Sequence, residues 1–222
     1  MGARTQMIIE CVNHDGTHKT KAYHFGWGAG RPMFMVLNAF LTKVGFLVDE
    51  VDKLSDCLRY LDTFGLGTDL EKELRMNILQ CKQGIKTDKK YLNSHPDCTF
   101  RQSVLHDVNT ETRWLRGLRR GLREIRDIRF DDMQTICKFL EGCDNNNGAL
   151  VVRFTAGEWR NSERTWGVEL MIIPGNEDTG CRVQYNKPVT PRQYMKRYPL
   201  CTEEFVEMVK STLRYWEVKV IS

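Results

Sequence analysis

The clearest change in hydrophobic period along the chain falls at the turn cluster Asn145-Asn146-Asn147-Gly148. Before this cluster, apolar residues recur every three to four positions over about 32–142, which predicts helices. After it, apolar residues alternate with polar ones, which predicts strands. At the start of the chain, strand-like runs at 7–12 and 17–25 flank Asp15-Gly16 and predict a β-hairpin. We therefore predict an α+β fold with a central helical bundle-like region. An antiparallel sheet is expected from the C-terminal strands, with the N-terminal hairpin as a candidate member.

Local signals predict where individual elements begin and end. The expected features are a capping box at Thr68 and Glu71, a polar connection at 86–96, helices at 100–108, 112–130 and 133–140, strands at 150–155, 165–173, 181–185 and 215–221, and helix starts at Thr190 and Thr202.

Length and composition favour one domain. The chain has 222 residues, 41% of them hydrophobic and 28% charged, which is ordinary for a protein with a buried core and excludes a disordered chain. We predict a single domain over 1–222, which divides into 1–30, 31–144 and 149–222 if it divides at all. The longest charge-free apolar stretch, between Arg31 and Lys43, is too short to span a bilayer, so no membrane partner is expected.

Cysteine usage bears on the compartment of the protein. The eight cysteines are spread along the chain without a CxxC motif. Such spacing favours free thiols in a reducing interior, either cytoplasmic or nuclear.

The net charge of +4 is unevenly distributed. The segment 113–129 holds seven arginines against two acids, for a net +5, and 181–198 holds five basic residues and no acid, also +5. The rest of the chain therefore carries −6. Localised positive charge of this kind is typical of a surface that binds a polyanion.

The two basic segments supply the predicted nucleic-acid-binding residues. In the first, Leu115, Leu118, Leu122 and Ile125 follow helical spacing, which sends the arginines to the opposite face. In the second, tyrosines are interleaved with the charges, as in single-strand or RNA sites where bases stack on aromatic rings. The predicted binding residues are Arg113, Arg116, Arg119, Arg120, Arg123, Arg126, Arg182, Lys187, Arg192, Lys196, Arg197, Tyr185 and Tyr194.

These residues lead to the first functional hypothesis, a non-enzymatic intracellular protein that binds nucleic acid, preferably RNA, without a cofactor. A structural alternative explains the same pattern. The arginines would then be solvated or paired with Asp131, Asp132 and Glu111, and the tyrosines would be half-buried.

Two further sets of residues are weaker candidates. Cys11-x2-His14-x3-His18 contains zinc-ligand residue types, but a second cysteine pair is missing, so no metal site is predicted. Arg101-x4-His106 resembles the Arg and His of HEPN-type ribonucleases, and this resemblance implies metal-independent RNA cleavage by an acid/base pair. Gln102 departs from that family, which has another polar residue after the Arg.

The ends of the chain resemble those of insect-virus polyhedrins, over about a quarter of its length and by pattern only. The residues concerned are the Asp15-Gly16 hairpin leading into a helix, and the helix and strand over 205–220 with Arg214-Tyr215-Trp216. This resemblance implies a self-assembling structural protein, viral and polyhedrin- or matrix-like. The partners would then be other copies of the chain, and we expect a homo-oligomer.

Overall fold

A computed structural model describes residues 4–28, 30–47, 54–141, 147–160, 163–175, 187–212 and 217–221. The strands are β1 (Thr5–Val12), β2 (His18–Phe25), β3 (Thr68–Asp69), β4 (Ala149–Arg160), β5 (Glu163–Ile173) and β6 (Glu217–Ile221). The α-helices are α1 (Arg31–Leu47), α2 (Leu70–Ser94), α3 (Arg101–Asp127), α4 (Met133–Glu141), α5 (Pro191–Arg197) and α6 (Thr202–Thr212), and 3-10 helices lie at Leu54–Thr63 and Pro199–Cys201. The predicted α+β class is confirmed. The expected strand at 181–185 lies outside the described residues.

One mixed sheet joins both ends of the chain, in the order β3-β2-β1-β4-β5-β6. The N-terminal hairpin is part of this sheet because β1 pairs with β4. The sequence predicted an antiparallel sheet, and this is wrong for two strand pairs. β1 pairs with β4 in parallel, and so does β5 with β6. Parallel pairing requires long crossover connections, and the helices of the chain provide them.

Helices cover both faces of the sheet. Alternate residues of β1 point to opposite faces, so that Met7 and Ile9 join one core and Ile8 joins another. On the first face, α1, α5 and α6 pack with the 3-10 helix at 54–63. On the second face, α4 and the nearer ends of α2 and α3 pack. The molecule thus has three layers, with the sheet in the middle.

Glycine is required at two turns. The hairpin between β1 and β2 has the three-residue loop His14-Asp15-Gly16, with the backbone N–H of Asn13 donating to the carbonyl of Thr17 at 2.7 Å and Gly16 at φ +74°. At the change of hydrophobic period, Gly148 has φ +93°, and an added Cβ would lie 2.3 Å from the carbonyl oxygen of Ile173. No other residue fits there without moving the backbone.

The helices α2 and α3 form an antiparallel hairpin, here called the helical hairpin (70–127). At one end, Nη2 of Arg126 lies 2.8 Å from Oε1 of Glu71. At the other end, Arg101 donates to the carbonyl of Leu92 at 3.3 Å. The helices have 25 and 27 residues, so each is about 37–40 Å long at 1.5 Å per residue. Contacts with strands and with α4 are made by their sheet-proximal ends, and the distal half extends beyond them.

Element boundaries in this region differ from the predictions. The connection expected at 86–96 is helical as far as Ser94, and the helices expected at 100–108 and 112–130 are one continuous helix. The helix cap is Asp69 and not Thr68, since its carboxylate accepts from the backbone N–H groups of Glu71 and Lys72. Polar residues at 86–94 remain helical because one side of α2 still packs on α3.

The C-terminal helix starts are confirmed. Thr190 and Gln193 form a reciprocal capping box at the start of α5, and α6 begins at Thr202.

The end of α3 is held to the sheet by two buried hydrogen bonds. The carboxylate of Glu10 on β1 accepts from the backbone N–H of Phe130 at 2.8 Å, and the hydroxyl of Thr20 on β2 donates to the carbonyl of Ile128 at 2.9 Å. Burial raises the pKa of Glu10, an effect that the Phe130 N–H and the charge of Arg129 oppose. These contacts set the position of α3, and with it the direction in which its exposed side points.

None of the described helices is both long and apolar enough to cross a membrane.

Candidate nucleic-acid interface

The exposed side of α3 carries four arginines in adjacent turns. Leu118 and Ile125 are buried against the rest of the fold, as the helical spacing predicted, and the opposite side of the helix faces solvent. We call the four residues there, which surround a shallow hollow on the helix surface, the arginine stripe: Arg116, Arg119, Arg120 and Arg123.

The three acids that the structural alternative pairs with the arginines form no ion pair with the stripe. Asp131 pairs with Arg153, and Asp132 accepts from the backbone N–H of Thr135 at 3.0 Å at the start of α4. The carboxylate of Glu111 faces α2, where an added Cβ at Gly84 would lie 2.7 Å from Oε2. Within the described part of the chain, no carboxylate forms an ion pair with the stripe. Four guanidinium groups are thus available to an external anion.

Arg126 does not belong to the stripe, although the sequence grouped it there. It pairs with Glu71 across the helical hairpin, at 2.8 Å, and the same carboxylate accepts from Arg75 at 2.7 Å. Burial acts to raise the pKa of Glu71, but the hydrogen bonds from Arg126 and Arg75 outweigh it and lower that pKa. Arg113 is exposed on α3, at the distal end of the stripe.

The second basic segment lies on the other face of the sheet. Its helix α5 is anchored in the core that contains α1 and α6, whereas α3 is anchored in the opposite core. Its exposed basic residues are Lys187, Arg192, Lys196 and Arg197. Arg182 and Tyr185 lie outside the described residues. A shared binding site would require both segments to lie on one face of the sheet. They lie on opposite faces and therefore do not form one surface.

The sequence assigned Tyr194 to base stacking, and its placement in the structure contradicts this. Its side chain is only 1% exposed, and its hydroxyl donates to the carbonyl of Asn147 at 2.8 Å. The centroid of its ring lies 6.2 Å from the ring centroid of Phe34. The neighbouring Tyr198 is also buried, under the guanidinium of Arg197 at 5.5 Å. Tyr194 on α5 and Tyr198 at its C-cap are core residues because helical spacing turns them toward the sheet while the basic residues turn outward.

The weak metal candidates are not brought together. Cys11 is buried on the face that contains Met7 and Ile9. His18 lies on the opposite face, 3.1 Å from Glu10, and His14 is exposed in the turn. Among the described residues, no group of three or more potential ligands could hold a metal ion.

The two residues that resemble a HEPN-type pair are also separated. Arg101 donates to the carbonyls of Leu92 and Pro96, at 3.3 and 3.2 Å, and so satisfies the end of α2. His106 is exposed five residues further along the same helix, about 140° around its axis at 3.6 residues per turn.

The sequence reasoning missed a groove of about 470 Å³ between the helical hairpin, α4 and the adjacent ends of β1 and β2. Its apolar wall includes Leu74, Leu118 and Phe139. Its polar residues are Arg4, Gln6, His24, Glu73 and Glu124, and Trp114 lies at its mouth. The spacing of Gly117 and Gly121 was the available signal, but it suggested a close backbone neighbour. Instead, a Cβ added at Gly121 would lie 3.6 Å from the side chain of Leu74, and one added at Gly117 would have no atom within 4 Å.

No match to this chain was found among known protein families, curated proteins or solved structures. The two family resemblances drawn from short sequence patterns therefore gain no support from these comparisons.

Proposed function

We propose that the protein binds single-stranded nucleic acid, preferably RNA, through the arginine stripe on α3. The observation that carries this proposal is the set of four exposed guanidinium groups with no carboxylate partner in the described structure. Guanidinium groups bind phosphate through paired hydrogen bonds and stack on bases. Arginines about one helical turn apart can follow a flexible phosphate backbone, and the side of α3 that carries them faces solvent.

The proposal predicts a defined salt dependence. If four phosphates are neutralised, the logarithm of the association constant for a single strand should fall with the logarithm of salt concentration at a slope of about −3. Fluorescence anisotropy with a labelled oligonucleotide at several salt concentrations measures this slope. A slope near zero contradicts binding through the stripe.

A pair of triple variants tests the location of the site. Arg119→Glu with Arg120→Glu and Arg123→Glu should lower affinity by about 100-fold or more and flatten the salt dependence. The matched control makes the same charge change on the other face, with Lys187→Glu, Arg192→Glu and Lys196→Glu, and should retain most of the affinity. Equal losses in the two variants would mean that only net charge matters. Circular dichroism and thermal unfolding establish that both variants fold.

Self-assembly is a second candidate, favoured by apolar residues exposed on the helical hairpin. Of eleven large apolar side chains that are exposed in the described structure, six lie within 70–127, so this region is the best suited to apolar contact with another chain. They are Met76, Leu79, Tyr91, Phe100, Leu105 and Trp114.

Sedimentation velocity without nucleic acid tests this second candidate. A homo-oligomer that persists at high salt, and dissociates in a Met76→Glu, Leu79→Glu variant, supports it. A monomer at both low and high salt contradicts it.

A further inference from the structure

The groove beside α3 contains a buried amide with an unsatisfied acceptor. The side chain of Gln6 lines the groove and is 1% exposed, and its Oε1 has no hydrogen-bond partner among the described residues. Its Nε2 lies 2.6 Å from Nδ1 of His24, which lines the same groove. Buried polar atoms are nearly always satisfied in native proteins, so an unpartnered oxygen on a side chain that lines a groove indicates a site for a donor from outside the chain.

The bond between these two side chains also defines what His24 offers. Burial lowers the pKa of His24, and the charge of Arg4 lowers it further against the opposing effect of Glu73, which favours the neutral imidazole. With Gln6 Nε2 as the donor, His24 Nδ1 is the acceptor and the ring proton is on Nε2. The groove wall therefore presents an acceptor on Gln6 and a donor on a neighbouring side chain.

The mouth of the groove has a surface for a flat ligand. Trp114 is 54% exposed there. Gly117 follows three residues later on α3, and an added Cβ at that position has no atom within 4 Å. The absence of a side chain at Gly117 leaves room beside the indole. A planar ring that enters here can stack on Trp114 and bury its edge toward Gln6.

The groove borders the arginine stripe. Arg113 precedes Gly117 by four residues and Arg120 follows it by three, so both are its neighbours on the helix surface. Both arginines are exposed. A ligand with a planar base and an attached phosphate thus matches the groove and its border together.

We propose that this groove binds a nucleobase that presents an amino donor beside a ring-nitrogen acceptor, that is, adenine or cytosine. The amino group would donate to Gln6 Oε1, and the ring nitrogen would accept from His24 Nε2. The base is supplied either by a residue of bound RNA or by a free nucleotide. This inference rests on the proposed function for its phosphate contacts, which come from the arginine stripe.

The test compares ligands that share a charged backbone but differ in their bases. Oligonucleotides of about 12 nucleotides, either oligo(A), oligo(U) or an abasic strand, are titrated against the full chain at one salt concentration. We expect oligo(A) to bind about 10-fold more tightly than the abasic strand, since stacking of one base has an effect of this order. Oligo(U) should be weaker than oligo(A), because uracil lacks the amino group.

A variant that fills the groove provides the structural control. Gly117→Leu should abolish the preference for oligo(A) while leaving the binding of heparin, which has no bases, unchanged. Gly117→Ala adds only a methyl group with the same gain in helix propensity, and it should keep the preference. Trp114→Ala should reduce it.

The two proposals fail in different ways. Equal wild-type affinities for oligo(A) and the abasic strand, with no binding of 5′-AMP, overturn the nucleobase site and leave the arginine stripe intact. Loss of all oligonucleotide and heparin binding overturns the stripe, and titration with 5′-AMP against ribose 5-phosphate then decides the groove alone. Binding of 5′-AMP identifies a free nucleotide as a sufficient ligand, whereas a preference seen only with oligonucleotides identifies an RNA residue.

Discussion

Helices pack on both faces of the sheet, but the helices of the two faces are buried to different extents. On the first face, α1, α5 and α6 close over an aromatic core in which Phe34 contacts the rings of Tyr194 and Phe205, and the basic residues of α5 lie on its outer side. On the second face, the nearer end of the helical hairpin is packed in the core, and no described residue of its distal half belongs to either core.

Because of this difference, we expect residues of the first face to stabilise the fold and residues of the second face to bind the ligand. A helix that is covered along its length uses its aromatic residues for the core, as α5 does. The helix α3 is buried along one side only, so Trp114 and the arginine stripe stay exposed, where a ligand can reach them. The residues in the two basic segments look alike in sequence, and their roles differ because of the layer in which they lie.

The largest expected effect is on the closed face. Phe34→Ala should reduce the free energy of unfolding by about 3–5 kcal/mol, because it removes a fully buried ring. The matched change on the hairpin, Phe100→Ala, removes a ring that is 70% exposed and should change stability by less than about 0.5 kcal/mol. Urea unfolding measures both. Similar losses in the two variants would mean that the distal hairpin is packed against something in solution.

A smaller loss is expected for Tyr194→Phe. The change leaves the buried carbonyl of Asn147 without its hydrogen bond and should cost about 1–2 kcal/mol. Affinity for RNA should not change, since the ring is not accessible. A fall in affinity with unchanged stability would restore this tyrosine as a ligand contact and break the distinction between the two faces.

The open face should respond to mild acid through His24. Its pKa in the folded chain is lowered, so the unfolded chain takes up the proton first as the pH falls below about 6.5, and stability decreases from there downward. The contribution should be less than about 1 kcal/mol, since the ring is only partly buried. Thermal unfolding between pH 7 and pH 5 should show a weaker pH dependence in His24→Gln than in the wild type. His106→Gln, which removes an exposed imidazole, is the control and should follow the wild type.

The smallest expected effect concerns the ion pairs at the base of the hairpin. Glu71→Gln removes the partner of Arg126 and Arg75 and should cost about 0.5 kcal/mol. It also releases Arg126 toward solvent, so the RNA affinity of this variant should be about 2-fold higher than that of the control Asp97→Asn. The control removes an exposed acid at the hairpin turn. An equal rise in both variants would show that Arg126 does not reach the ligand.

Much of the local structure could be predicted from the sequence. The N-terminal hairpin, the start of α5 at Thr190 and the apolar side of α3 follow from turn residues, capping residues and helical spacing, all of which act over a few positions. The continuity of α2 through 86–94 could not be predicted, since polar residues there are kept helical by packing on α3. The groove was missed for a related reason: Gln6, His24 and Trp114 come from three separate elements.

The sequence by itself determined which side of each helix is apolar and where the positive charge is concentrated, because both depend on spacing within one element. Only the tertiary structure decided on which face of the sheet each basic segment lies, and this depends on the parallel pairing of β1 with β4 across more than half of the chain. It also decided that Asp131 and Asp132 are engaged elsewhere and that Glu111 faces α2, which leaves the arginine stripe without carboxylate partners among the described residues. Partners far apart in sequence are selected by packing, and local spacing carries no information about them.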